Sequence, residues 1–158
     1  MNQNRETENE LARRHRSARL VVVSFLALTL ALLPVAIFAM RFIYRPGDPS
    51  LVMGLWIAIL VFGMGAFVLR RTRFNPMRLK DIAALRGASG LLKTLQDTTI
   101  QVASIGGAIA LMGFIITMLK GDWTDMLRAA GVAAIVLLYC YPFKNAWRRA
   151  VEQFAPEE

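Results

Sequence analysis

The chain has 158 residues, of which 56% are hydrophobic, and its 19 Lys and Arg residues outnumber its 11 Asp and Glu residues to give a net charge of +8. Soluble domains average about 45–50% apolar residues, so the excess is modest, but here the apolar residues form blocks and the charges lie between them. This distribution excludes a disordered chain, a disulfide-rich secreted domain and an ordinary soluble enzyme. It indicates an all-α integral membrane protein with several spans.

Four apolar blocks are the candidate spans. A hydrocarbon core of about 30 Å requires roughly 20 residues of helix, and residues 20–40, 51–69 and 99–119 carry no charged residue. The fourth block, residues 126–143, carries Arg128 at its outer end, where the long side chain can reach the interface. The alternative for this block is a re-entrant or interfacial segment. Because unpaired backbone groups in lipid are costly, the sequence predicts four transmembrane helices in a bundle.

Basic residues are distributed unequally between the segments that connect these spans. An even number of spans places both termini on one side, and 15 of the 19 basic residues fall there, whereas Arg41, Arg45, Lys120 and Arg128 fall on the other. The positive-inside rule predicts that this richer side is the cytoplasmic face of the cell membrane. The chain then divides into a basic N-terminal segment (1–19), a four-span membrane domain (20–143) with a cytoplasmic loop (70–98), and a C-terminal tail (144–158). The 15 residues are Arg5, Arg13, Arg14, Arg16, Arg19, Arg70, Arg71, Arg73, Arg78, Lys80, Arg86, Lys93, Lys144, Arg148 and Arg149.

The start of the cytoplasmic loop predicts contact with lipid. Basic residues beside a span attract anionic headgroups by roughly 1 kcal/mol each. We therefore expect membrane lipids as partners, and no nucleic acid, because topology already explains the positive charge. The predicted lipid contacts are Arg70, Arg71, Arg73 and Arg78.

The rest of the loop predicts an amphipathic surface helix between spans two and three. Apolar residues recur at helical spacing between Leu79 and Leu95, interrupted by charged residues. Gly87 and Gly90 are expected to weaken this helix or to split it in two. The alternative is a partner-docking or loosely ordered loop.

Small residues at helical spacing predict helix-packing faces, because they allow backbones to approach closely in lipid. Span three has the clearest such face and is expected to lie at the centre. The sequence leaves open whether these faces meet the chain's own helices or another protein. The predicted packing residues are Gly54, Ala58, Ala103, Gly106, Gly107, Ala110 and Gly113.

The sequence carries no signature of catalysis, and we predict neither an enzyme nor a bound cofactor or metal. His15 is the only histidine and Cys140 the only cysteine, which argues against haem or metal ligation within one chain. An outer cation site built from Asp48, Asp122 and Asp125 is an alternative.

Three functional hypotheses follow from these features. The leading one is a small accessory or assembly subunit that associates through its helices with other membrane subunits or with itself. The second is a small homo-oligomeric transporter or channel. The third is a membrane-permeabilising or lipid-handling protein. A transporter would have to use a weakly polar lining made of Ser24, Thr29, Thr99, Gln101 and Ser104.

Overall fold

The computed structural model describes the backbone of residues 2–43 and 46–154 and the side chains of residues 8–42 and 46–153. Every regular element in these ranges is a helix: α1 (Asn2–Ile43), α2 (Pro49–Arg73), α3 (Pro76–Lys120), α4 (Trp123–Tyr139) and α5 (Lys144–Phe154). Four helical stretches are long and apolar enough to cross a membrane, which confirms the predicted class of an all-helical protein with four candidate spans. Arg45 and the side chain of Arg5, both used in the charge argument, lie outside the described residues.

Local signals determine where the helices begin and end. α2, α3 and α4 each follow a residue whose side-chain oxygen accepts a hydrogen bond from the backbone N–H two positions later: Asp48, Asn75 and Asp122. These bonds satisfy N–H groups that have no partner inside the helix. Proline opens α2 and α3, where its missing N–H costs nothing. α3 ends at Gly121, whose φ of 72° is a left-handed conformation that favours glycine.

Helix α3 is the centre of the molecule, because it contacts each of the other four helices. α4 packs along α3 and also contacts α1 and α2. Within the described residues α1 and α2 do not contact each other, so they flank the α3–α4 pair separately. The buried core between the spans includes Ile59 of α2, Ile109 and Ile116 of α3, and Leu137 of α4.

The two ends of the molecule differ in what they contain. At one end, the N–H of Gly47 donates to the carbonyl of Leu119 at 3.0 Å, so the turn before α2 lies beside the end of α3. We call this the loop end. At the other end, Leu11 of α1, Leu91 of α3 and Trp147 of α5 are buried in one cluster. Both described terminal segments and the 74–98 region therefore lie together, away from the two short loops.

The second cluster belongs to a helical layer that we call the cap, formed by residues 8–19, 76–98 and α5. α1 has 42 residues and α3 has 45, so each is about twice the length that a hydrocarbon core of about 30 Å requires. The surplus at the cap end is packed together, with Leu92 and Leu95 of α3 fully buried. Segments predicted as an N-terminal segment, a loop and a tail thus form a second core.

The predicted separate surface helix over 79–95 requires correction. These residues belong to the first part of α3, which is continuous with the span except for a break at Gly87, where φ is 65° and ψ is −170°. Leu92 and Leu95, expected to face a membrane surface, are buried against the chain, whereas Leu85 is 84% exposed. The periodicity correctly indicated helix, and the glycine break falls where it was expected. The alternative surface, offered by α1 and α5, was not visible in the sequence.

Helix α4 is displaced along the chain relative to the predicted block 126–143, because it begins at Trp123 and ends four residues before the block does. α4 ends at Tyr139, and residues 140–143 turn the chain before α5 begins. Pro142 lies in this turn and cannot continue a helix, because it lacks a backbone N–H. With 17 residues, α4 is about 25 Å long, slightly less than a hydrocarbon core.

Candidate functional site

The predicted packing face of α3 is used inside the chain. A Cβ added to Gly106 would lie 2.9 Å from the side chain of Leu137, and one added to Gly107 would lie 2.5 Å from the ring of Phe25. At Gly113 an added Cβ would overlap Ala129 of α4. Ala103 and Ala110 of the same face are fully buried. These positions therefore allow α1 and α4 to approach the backbone of α3 closely.

Helix α2 has an inner side and an open side. Its inner side carries buried Ile59 and Ala66. Gly54 and Gly65 are exposed, and an added Cβ at either would meet no atom of the described side chains and backbone within 4 Å. Ala58 is half-buried. The packing residue Gly54 predicted from the sequence is thus on a side of α2 that its own chain leaves open.

A buried carboxylate stands at the loop end, in the first turn of α4. Asp125 is only 1% exposed, and its Oδ2 lies 2.8 Å from Nζ of Lys120, without a well-directed hydrogen bond. Its Oδ1 lies 3.5 Å from Arg128. The contact with Lys120 is therefore chiefly coulombic, and it ties the end of α3 to the start of α4.

The other two acidic residues at this end act as helix caps. The backbone N–H groups of Ser50 and Thr124 donate to Asp48 and Asp122 and lower the pKa of each carboxyl below its ordinary value, because they stabilise the charged form. Among the described residues no group of three or more His, Cys, Asp or Glu side chains is arranged to hold a metal ion.

Polar contacts join the helices of the cap. Nε2 of His15 lies 2.9 Å from the carbonyl oxygen of Pro142, and its ring meets the ring of Trp147 edge-on at 5.8 Å. Glu10 accepts hydrogen bonds from Arg14 on α1 and from Ser89 on α3, each at 2.9 Å. The only histidine of the chain therefore acts as a structural contact between α1 and the turn that precedes α5.

A cleft opens where the spans meet the cap, and it is the candidate functional site. It has a volume of about 120 Å³ and lies between the end of α2, the middle of α3 and the turn between α4 and α5. Among the described residues that line it, Arg70 is the one basic residue and none is acidic. Its other lining residues are mostly aromatic or aliphatic: Phe74, Leu95, Thr99, Cys140, Tyr141, Pro142, Phe143, Ala146, Trp147 and Ala150.

Arg70 is held in the cleft by aromatic rings. Its guanidinium carbon lies 4.2 Å from the ring centroid of Tyr139 and 5.4 Å from that of Phe74. Tyr139 in turn stacks on Phe67 with a centroid distance of 4.9 Å. Within the described residues no carboxylate lies within 4.0 Å of Arg70. Stacking uses the face of a guanidinium, so the N–H groups at its edge are left for another acceptor.

The other predicted lipid-contact arginines lie outside the cleft. Arg71 and Arg78 are exposed and Arg73 is half-buried. A shallower hollow adjoins the cleft, shares Phe143 and Ala146 with it, and adds the basic residues Lys144 and Arg149. Arg70 can be recognised in the sequence from its position beside a span, whereas its contact with Tyr139 and the α5 residues of the cleft were not predicted. The amphipathic pattern of Trp147, Ala150 and Val151 was the available signal for α5.

Comparison with known proteins identified no relative of this chain. No family model matches the chain, and no curated protein or solved structure is significantly similar to it. The fold therefore defines the class of the protein. Over its described residues the chain is all-helical, and four of its helical stretches are long and apolar enough to cross a membrane.

Proposed function

We propose that this protein is an accessory or assembly subunit of the cell membrane that acts by helix–helix association and not by catalysis. In this proposal its four long helices cross the membrane as a bundle with both termini in the cytoplasm. The single observation that carries it is the open face of α2, which presents small residues away from the rest of the chain.

The geometry of that face suits a close helix contact. Gly54 and Gly65 are 11 residues apart, just over three whole turns, so they point in nearly the same direction, with Val61 between them. All three are exposed. α2 is also a peripheral helix, since it contacts α3 and α4 but not α1. Small residues let a second helix approach closely in lipid, where van der Waals packing drives association.

The proposed orientation rests on charge and on the position of the two ends. The structure brings the 8–19, 74–98 and 144–153 regions to the cap end, and these hold most of the basic residues. The loop end holds Arg41, Lys120 and Arg128 among its described residues. Such an imbalance favours a cytoplasmic cap.

Affinity isolation of the full chain in mild detergent, followed by mass spectrometry, tests the association. We expect the wild-type chain to co-isolate a membrane protein and the double variant Gly54→Leu, Gly65→Leu to lose it. Gly131→Leu is the matched control, because Gly131 is an exposed glycine of α4 with no atom within 4 Å of an added Cβ. Isolation of the wild-type chain alone would contradict the proposal. Cross-linking to a second copy only would favour the homo-oligomeric alternative.

The residues that a transporter would need do not converge. The hydroxyls of Thr29 and Thr99 donate to carbonyls of their own helices, at Phe25 and Leu95. Ser24, Gln101 and Ser104 are exposed. No specific observation therefore favours a transporter or channel over the proposed subunit.

A further inference from the structure

The cleft beside Arg70 combines features that a nonspecific basic surface lacks. Its guanidinium is oriented by Tyr139 and Phe74 and has no carboxylate partner among the described residues. Arginine is suited to planar, paired hydrogen bonding to phosphate, and stacking on rings reduces the freedom it must lose on binding. An oriented guanidinium without an acidic partner favours an anionic phosphate group as ligand.

The surroundings of the cleft favour a ligand that is also apolar. A cavity of about 120 Å³ is close in size to the engineered apolar cavity of about 150 Å³ that binds benzene, so it has room for a few carbon atoms and not for a whole acyl chain. Phe67 and Leu138, exposed to 50% and 59%, continue an apolar surface from this level along α2 and α4. The remainder of a long chain would lie against that surface.

The charge around the cleft favours some amphiphilic ligands over others. The adjoining hollow contributes Lys144 and Arg149, and none of the described residues that line the cleft or the hollow is acidic. A net negative headgroup gains from this field, whereas a choline or other cationic group is disfavoured.

We propose that the cleft is a specific binding site for one anionic glycerophospholipid, whose phosphate is held by Arg70 with Lys144 and Arg149 beside it. The glycerol and first chain carbons fill the aromatic cleft, and the acyl chains lie along α2 and α4. This inference does not depend on the proposed association of α2, which uses the opposite set of exposed residues, Gly54 and Gly65.

Native mass spectrometry of the full chain, released from bilayer discs of phosphatidylglycerol in phosphatidylcholine, tests this site. We expect the wild-type chain to retain one phosphatidylglycerol and Arg70→Gln to reduce that retention by at least about tenfold, as loss of a charge-assisted contact implies. The matched control is Arg19→Gln, which removes an equal charge from an exposed residue at the start of the first predicted span. Ala146→Leu, at an exposed residue of the cleft lining, fills the cleft without changing charge and is expected to reduce retention similarly.

Each other outcome overturns the site. Equal loss for Arg19→Gln and Arg70→Gln would mean general electrostatic attraction, and unchanged retention in Ala146→Leu would mean that the cleft is not occupied. Equal retention of diacylglycerol would remove the role of phosphate. Displacement of the lipid by millimolar inorganic phosphate would point to a free anion as the ligand. Thermal melting of each variant in detergent separates loss of lipid from loss of fold.

Discussion

Glycine is the residue on which the packing of α3 depends. In water, the hydrophobic effect drives apolar side chains together. In lipid, the free energy of helix association comes chiefly from van der Waals contact between closely packed surfaces, which small residues permit. At Gly106, Gly107 and Gly113 the neighbouring helix occupies the space that a side chain would take. At Gly54, Gly65 and Gly131 that space is empty. Glycines that look equivalent in the sequence therefore have different roles.

We predict that Gly113→Val destabilises the chain by about 1–3 kcal/mol, because the new side chain overlaps Ala129 and must push α4 away from α3. Denaturant titration of the protein in detergent, followed by the loss of helical signal, measures the difference. Gly131→Val makes the same chemical change at an open position and should cost less. Equal destabilisation by the two variants would contradict the packing described for Gly113.

The buried carboxylate of Asp125 depends on Lys120 for a compensating charge. Lys120→Met should destabilise the chain more than Asp125→Asn. Loss of Lys120 leaves the buried carboxylate of Asp125 with only the longer contact to Arg128. Loss of the Asp125 charge is less costly, because Lys120 is 47% exposed and can be hydrated. The cost of Lys120→Met is expected to be about 2 kcal/mol. Thermal unfolding of both single variants and the double variant measures it, and a double variant no better than Lys120→Met would contradict the explanation.

Among the elements, α3 belongs to both the cap and the core between the spans, and Gly87 is a break within its cap part. Residues on both sides of Gly87, such as Leu79 and Leu91, are buried in the cap, and the remainder of α3 continues as the central candidate span. We predict that Gly87→Ala destabilises the chain by about 1 kcal/mol, because a φ of 65° is strained for a residue with a Cβ. An added Cβ at Gly87 meets no atom within 4 Å, so the cost comes from backbone conformation alone. Gly131→Ala, at a helical glycine with similar open space, should be neutral or stabilising, and thermal unfolding compares the two.

Helix α5 packs into the cap through Trp147. Trp147 is 3% exposed and fills the cap between α1 and α3. Trp147→Ala should lower the free energy of unfolding of the cap by about 3–5 kcal/mol and release α5. Limited trypsin digestion would detect the released helix as faster cleavage at Arg148 and Arg149. Trp123, 49% exposed at the loop end, is the control. Equal protease resistance in both variants would show that α5 is held by other contacts.

At the scale of the whole molecule, the two ends have different environments in the proposed orientation. In a background with Cys140→Ala, we predict that Ser50→Cys reacts with an impermeant maleimide in intact cells and that Ser17→Cys reacts only after permeabilisation. Both serines are exposed, at the loop end and the cap end respectively. The asymmetry of basic residues supplies the physical reason. The reverse labelling pattern would overturn the orientation, and labelling of both in intact cells would overturn the spanning arrangement.

In the proposed membrane arrangement, two of the buried clusters are stabilised differently. The core between the spans would be held by close packing of small residues in lipid, whereas the cap core, beyond the length of helix that a bilayer needs, would be held by the burial of Leu91, Leu92 and Trp147 from water. Because α1 and α3 continue from one core into the other, the cap fixes the spacing of these helices where they enter it. It also forms the cleft around Arg70.

The amino-acid sequence by itself determined the helical class, the four candidate spans, and a weak point in the helix at Gly87 or Gly90. These features depend on local preference and on the length of apolar segments, which can be read without knowing what lies nearby. Only the tertiary structure decided that residues 79–95 pack against α1 and α5, that the small residues of α3 are used internally while Gly54 and Gly65 are not, and that Arg70 lies over Tyr139. These outcomes depend on which helices pack together. The helical spacing of apolar residues predicts that a helix has an apolar face, but it does not predict which other helix packs against that face.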